Sequence, residues 1–268
     1  MTIQANVNTL LKRTPSDSRF LTLTDKLPIK TGEAFQIKTI TPDRDQHAKV
    51  IFANPVQGWS EAYIYQPHWT LPTSSNILLM APYFSQLDND SGQGNRECCG
   101  TSNAIMLNFL LAKAKVPSLV ERAFGKGIEP ETVYFDTLAK YGDTTDHGAN
   151  TQALQEFGIE SQWATNLSLE DLLKSLRAGI PLVMGLHYKR WGHIVCAIGY
   201  NFDRNAAIVH DPFGARAGDS DNWAATGGDS GKADIYSDRV LQSLWCSGQS
   251  DGWGRIVTSV LGKPTGLK

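Results

Sequence analysis

Cysteine is scarce in this chain: Cys98, Cys99, Cys196 and Cys246 are the only four among 268 residues. They are too few and too unevenly spaced for a disulfide framework or a zinc site built from paired CxxC motifs, so reduced thiols and no structural metal are expected. Charge of one sign is also lacking, because 25 Lys and Arg stand against 27 Asp and Glu for a net charge of −2. That balance leaves no basic footprint for nucleic acid or an anionic membrane surface. No apolar run is long enough to span a bilayer, and the opening Met1-Thr-Ile-Gln-Ala-Asn-Val-Asn-Thr-Leu-Leu-Lys-Arg13 has no positive region leading into an apolar stretch. A chain made in the cytoplasm without a signal peptide, and not inserted in a membrane, is expected. What is present is ordinary globular composition, 41% hydrophobic and 19% charged, with length for one or two domains.

The first 70 residues differ in style from the rest. Short strand-like pieces, Phe20–Leu23, Ala34–Ile40, Ala48–Phe52 and Glu61–Tyr65, are separated by turns such as Lys30-Thr-Gly-Glu33 and Asn54-Pro-Val-Gln-Gly58. This spacing predicts a small all-β barrel over residues 1–70. Leu71-Pro-Thr-Ser-Ser-Asn76 reads as a linker to a second domain over 77–268. There the helix patterns come first, at 117–124, 129–141, 150–157 and 168–178. Strand patterns follow at 182–186, 194–200, 206–209 and 255–260, giving an α+β division.

The chemistry-bearing residues lie in this second part. Cys99-Gly-Thr-Ser102 opens an apolar run without Gly or Pro that ends near Lys113 and Lys115. A helix here would aim its free N–H groups at the sulfur and favour the thiolate, which is the reactive form. Downstream, Gly192-His193 heads an apolar strand, and a second strand ends at His210-Asp211. A turn centred near Phe202 would set residue 193 opposite residue 211, so that Asp211 orients His193 as a base for the thiol. Gln86 is the candidate donor to a developing oxyanion, with Gln93 as its rival. Trp191 and Trp253 are candidate groove-lining residues. Trp223 is another, within a polar, Gly-rich stretch between Phe213 and Ser237 that reads as a lid over the cleft. Asp88-Asn-Asp-Ser-Gly92 alternates oxygen ligands as calcium loops do but lacks the closing Glu, so neither metal nor cofactor is expected.

Taken in order, Pro82-Tyr-Phe-Ser-Gln-Leu-Asp-Asn89, Cys99-Gly-Thr-Ser102, Gly192-His193 and His210-Asp-Pro-Phe-Gly214 resemble the papain-fold cysteine peptidases of the bacteriocin-processing, double-glycine-peptidase-like group. The resemblance spans about 77–260. It implies a papain-like domain with Cys99 as nucleophile, His193 as general base and acid, Asp211 as orienter and Gln86 as oxyanion donor. Cys98 is a departure from the pattern, and the Gly and helix that follow Cys99 favour the latter. The pattern of Lys30-Thr-Gly32, His47, Trp59 and Tyr65-Gln-Pro-His-Trp69 resembles the small bacterial Src-homology-3-like modules that accompany cell-wall hydrolases. It implies attachment to a wall polymer or substrate presentation; the alternative is a structural add-on that packs against the catalytic domain.

Together these imply an endolysin-like, monomeric cysteine endopeptidase whose substrate is a peptidoglycan stem-peptide or cross-bridge amide. It would reach the wall by release or export, for instance through a holin. Two further readings stay open: a peptidase that processes polypeptides after small residues, and an inactive binding module.

Overall fold

The computed structural model describes all residues except 1, 44–45, 72–75, 90–91, 189–190, 221 and 249. The chain forms two compact units, Met1–Ser74 and Ser75–Lys268. Most of the stretch expected to be a linker, residues 72–75, lies outside the described residues.

The first unit is an antiparallel sheet of β1 (Thr2–Ala5), β2 (Thr9–Lys12), β3 (Lys26–Ile29), β4 (Ala34–Pro42), β5 (His47–Val56), β6 (Trp59–Tyr65) and β7 (Trp69–Thr70), in the order β3-β2-β6-β5-β4-β1-β7. Alternation decides its inner face. Ala48, Val50 and Phe52 of β5 point inward with Ala62 and Ile64 of β6, and Ile3, Leu11, Ile37 and Trp69 complete the core. Trp59 is buried with Arg13 over its ring at 4.0 Å. The strand expected at Phe20–Leu23 is absent. Short 3-10 turns run through Ser18–Phe20 and Leu23–Asp25, and both Phe20 and Leu23 are exposed, so their apolar pattern has no sheet to pair with.

The second unit runs β8 (Ile77–Leu78), α1 (Cys98–Lys113), α2 (Leu119–Ala123), α3 (Pro130–Leu138), α4 (His147–Glu156), β9 (Ile159–Leu167), α5 (Leu169–Arg177), β10 (Leu182–Leu186), β11 (His193–Asn201), β12 (Ala206–His210), β13 (Gly214–Arg216), β14 (Trp223–Thr226), β15 (Asp234–Ser237), α6 (Asp238–Leu244), β16 (Gly252–Val260) and β17 (Lys263–Pro264). Helices lead and strands follow, the α+β division the sequence predicts. Ser118 and Ser168 cap α2 and α5 in capping boxes, each contributing roughly 1 kcal/mol. The central path of the sheet is β15-β12-β11-β10-β16-β17, and β9 pairs with β16 along most of its length.

Buried α1 lies in a core of Ile105, Met106 and Leu110 with Ile194, Cys196 and Ile198 of β11, so the helix that begins with Cys98 and Cys99 and the strand that begins with His193 share one interior. Gly100 permits a close approach here. A Cβ at that position would stand 2.3 Å from the Phe135 ring of α3.

The register of the β11–β12 hairpin differs from the symmetric one. Cys196 faces His210, and the pairing shifts between Ala197 and Gly199, so residue 211 lies past the last paired position and not opposite 193. The segment expected as a lid folds into the β13–β14 hairpin followed by β15, although residue 221 within it lies outside the described residues.

Candidate active site

His193, the first residue of β11, and Asp211, just past the end of β12, are brought together despite the altered register. Nε2 of His193 lies 2.7 Å from Oδ1 of Asp211, and both side chains are buried. Asp211 is held on every side. Its Oδ1 also accepts from the Phe213 backbone N–H at 2.9 Å, while Oδ2 accepts from Tyr236 Oη at 2.7 Å and Trp223 Nε1 at 3.3 Å. Burial works against both charges, but each group's attraction for the other prevails, raising the His193 pKa and lowering that of Asp211. The Trp223 ring stands edge-on to His193 with centroids 5.5 Å apart, and Phe213 packs against Trp223 at 4.4 Å, so the β13–β14 hairpin roofs the pair.

Of the two cysteines that open α1, Cys98 is the one whose side chain acts electrostatically on the His193 ring, raising its pKa together with Asp211, to which Nε2 is committed. The structure sets the Cys99 sulfur beside His147 and Asn103, where the sequence leads one to expect it beside His193. Helix geometry supplies the reason. Helix α1 begins at Cys98, and Ser102, one turn on, donates to the carbonyl of Ile194 at 3.1 Å, so the face carrying residues 98 and 102 is the one turned to β11. Cys99 is rotated about 100° from that face. It is 2% exposed, and its Sγ lies 3.6 Å from His147 Nδ1 and 3.5 Å from Asn103 Nδ2. Burial pushes its thiol up to about 12. Cys98 is only half-buried and sits in the first turn, where backbone N–H groups lack helical partners.

Gln86 is buried, its backbone N–H donates to the Pro212 carbonyl at 2.9 Å, and its Nε2 donates to the carbonyl of Gly94, in the turn leading into α1. That bond uses one amide hydrogen and leaves a second, on a residue whose backbone is tied to the Asp211 loop and whose side chain is tied to the turn before Cys98. Its rival Gln93 is exposed. Trp191 is 90% exposed on the turn preceding β11. Trp253, on β16, belongs to an aromatic group with His147, Trp163 and His187. Among the described residues no group of three or more His, Cys, Asp or Glu side chains is arranged to hold a metal ion, and residues 90–91 of the calcium-like stretch lie outside the described residues.

Sequence reasoning missed Tyr236, His147 and Arg255. Tyr236 reaches Asp211 only through the pairing of β15 with β12, and Arg255 is wholly buried through the pairing of β16 with β9. No local signal marks either.

A family model for the Peptidase C39-like family matches residues 78–231, which contain Gln86, both cysteines of α1, His193 and Asp211. The chain belongs to that family. Its C39-like domain is thus a cysteine peptidase domain, and no match is found among curated proteins.

Proposed function

We propose that this chain is a cysteine endopeptidase that hydrolyses amide bonds in the stem peptides or cross-bridges of peptidoglycan, with Cys98 as nucleophile. The observation that carries the catalytic assignment is the carboxylate-held imidazole of His193, 2.7 Å from Asp211, with the half-buried Cys98 at the start of α1 as the cysteine that acts on that ring.

In this reading His193 takes the thiol proton, and the Cys98 sulfur adds to the carbonyl carbon. The backbone N–H groups of the first turn of α1 and the second amide hydrogen of Gln86 receive the oxyanion. Collapse of the tetrahedral intermediate breaks the C–N bond, and His193 passes its proton to the departing amine. A water, deprotonated by the same ring, then adds to the thioester and expels the sulfur, which regains its proton as the acid leaves. Asp211 holds the imidazole in place and favours its charged form throughout. Tyr236, Trp223 and the Phe213 N–H keep that carboxylate ionised and oriented.

The wall substrate is supported by the combination of a C39-like domain with a separate small β unit and by the resemblance of that unit's sequence to wall-associated modules. The exposed Trp191 beside β11 and the aromatic group around Trp253 supply apolar surface for a peptide. Mass spectrometry of muropeptides released from purified peptidoglycan tests this. Wild type should free new amine and carboxyl ends, whereas Cys98→Ala should free none. If several wall chemotypes remain intact under wild type while Cys98 is readily alkylated, the substrate is a different polypeptide.

A further inference from the structure

Beside the reaction centre lies a second thiol–imidazole pair whose surroundings differ in a telling way. His147, at the start of α4, lies flat on Trp163 with ring centroids 3.6 Å apart and planes 10° apart, and the Trp253 ring meets it edge-on at 6.2 Å. Behind the wall is Arg255, fully buried. Its guanidinium donates to Thr151 Oγ1 at 2.7 Å, Ser161 Oγ at 3.1 Å and the His147 carbonyl at 3.1 Å, and its Nε has no partner. Among the described residues no carboxylate lies within ion-pair distance of it, although a buried cation ordinarily requires one. The wall also adjoins the reaction centre. A Cβ at Gly192, the residue before His193, would lie 3.7 Å from the Trp253 ring.

We propose that Cys99 and His147 form a substrate subsite: the thiol fixes His147 against Trp163, so that its Nε2–H edge, with the uncompensated charge of Arg255 behind it, receives a carboxylate of the peptide substrate. This rests on the peptidase reading and names the substrate chemistry at one subsite. In this proposal Asn103 Nδ2 donates to the Cys99 sulfur, the buried thiol donates to Nδ1 3.6 Å away, and the ring's hydrogen is placed on Nε2. Burial and Arg255 both lower the His147 pKa, which favours the neutral ring. Nε2 lies on a half-exposed ring, whereas Arg255 is wholly enclosed. A substrate carboxylate there would gain a direct donor and a nearby positive charge, and a carboxamide only the donor.

A matched pair of ligands separates the two. Stem peptides carrying γ-linked D-Glu or D-isoglutamine differ by one carboxylate against one carboxamide. Their binding to full-length Cys98→Ala, followed by isothermal titration, reads the subsite without turnover. The carboxylate form should bind roughly tenfold more tightly, as expected for a charge-assisted hydrogen bond. His147→Phe, which keeps the stack but removes the donor, should bring the two affinities within about twofold. Cys99→Ser, which keeps a donor to Nδ1, should retain the preference, and Cys99→Val should lose most of it. Absence of a preference in Cys98→Ala, or its survival in both His147→Phe and Cys99→Val, overturns the proposal. If the preference is present and lost as described while wild type cleaves no wall peptide, the subsite stands and the wall-hydrolase reading fails.

Discussion

Cys98 and Cys99 are neighbours in the chain, yet they occupy opposite kinds of site. Each thiol faces an imidazole. Behind the imidazole of Cys98 is the buried carboxylate of Asp211, and near that of Cys99 is the buried guanidinium of Arg255. The anionic partner favours a charged ring that can accept and return a proton, and the cationic one favours a neutral ring and an intact thiol. One residue of helix, about 100° of rotation, thus separates the proposed nucleophile from a hydrogen-bonded support. The lesson is that a Cys–His contact is not a catalytic pair until the third group is known.

Substitution breaks the comparison most sharply at the sulfur. Cys98→Ala should lower kcat/KM by at least about 10³-fold, while Cys99→Ala should keep kcat within a few-fold of wild type, both measured on one purified peptide substrate. The reverse order would transfer the nucleophile to Cys99. Next in size is the orienter. Asp211→Asn should cost roughly 10²–10⁴-fold in kcat, because Nε2 of His193 loses its charged partner. Arg255→Met, at the mirror position of the second site, should leave kcat far less affected in whatever fraction folds, as judged by active-site titration. Gln86→Ala should reduce kcat by about 10²-fold with KM little changed, if the amide serves only the transition state. Steady-state kinetics with separate kcat and KM decide it.

The smallest effect concerns the floor beneath α1. Glu131 of α3 is buried with one carboxyl oxygen unpartnered, and burial raises its pKa from 4.5 to about 7. The folded state therefore holds this proton more tightly than the unfolded chain, and stability falls as pH rises between about 4.5 and 7. Glu131→Gln removes that loss, so at pH near 8 it should stabilise by on the order of 2–3 kcal/mol, and at acid pH by little. Thermal melts at both pH values measure the difference. An equal Tm shift at both would show that the carboxyl does not titrate in this way.

How far the sequence reaches follows from which contacts are local. Helix starts at Ser118 and Ser168 are legible because capping is decided within four residues, and the apolar run of β10 is legible because it is buried on both faces. That His193 and Asp211 meet is legible from the hairpin, although the register shift near Gly199 moves their backbones out of direct opposition. The choice between Cys98 and Cys99 is not legible from helical periodicity. Each has a polar residue one turn on, Ser102 and Asn103, and only the position of β11 relative to α1 decides which face is turned to the strand of His193. Strand β9 reads as a half-exposed polar segment and acquires its identity from β16, some ninety residues later. The aromatic positions at Trp59 and Trp69 turn out to be core residues of the first unit, so their sequence pattern reports on packing there.

The assignment of the nucleophile is tested most directly by mapping the alkylation site. Native protein treated briefly with a limiting amount of iodoacetamide near neutral pH, then unfolded, digested and analysed by tandem mass spectrometry, should carry the label on Cys98, with Cys99, Cys196 and Cys246 essentially unmodified, and Asp211→Asn should slow the labelling. Preferential modification of Cys99, with Cys98 left free, would contradict the assignment.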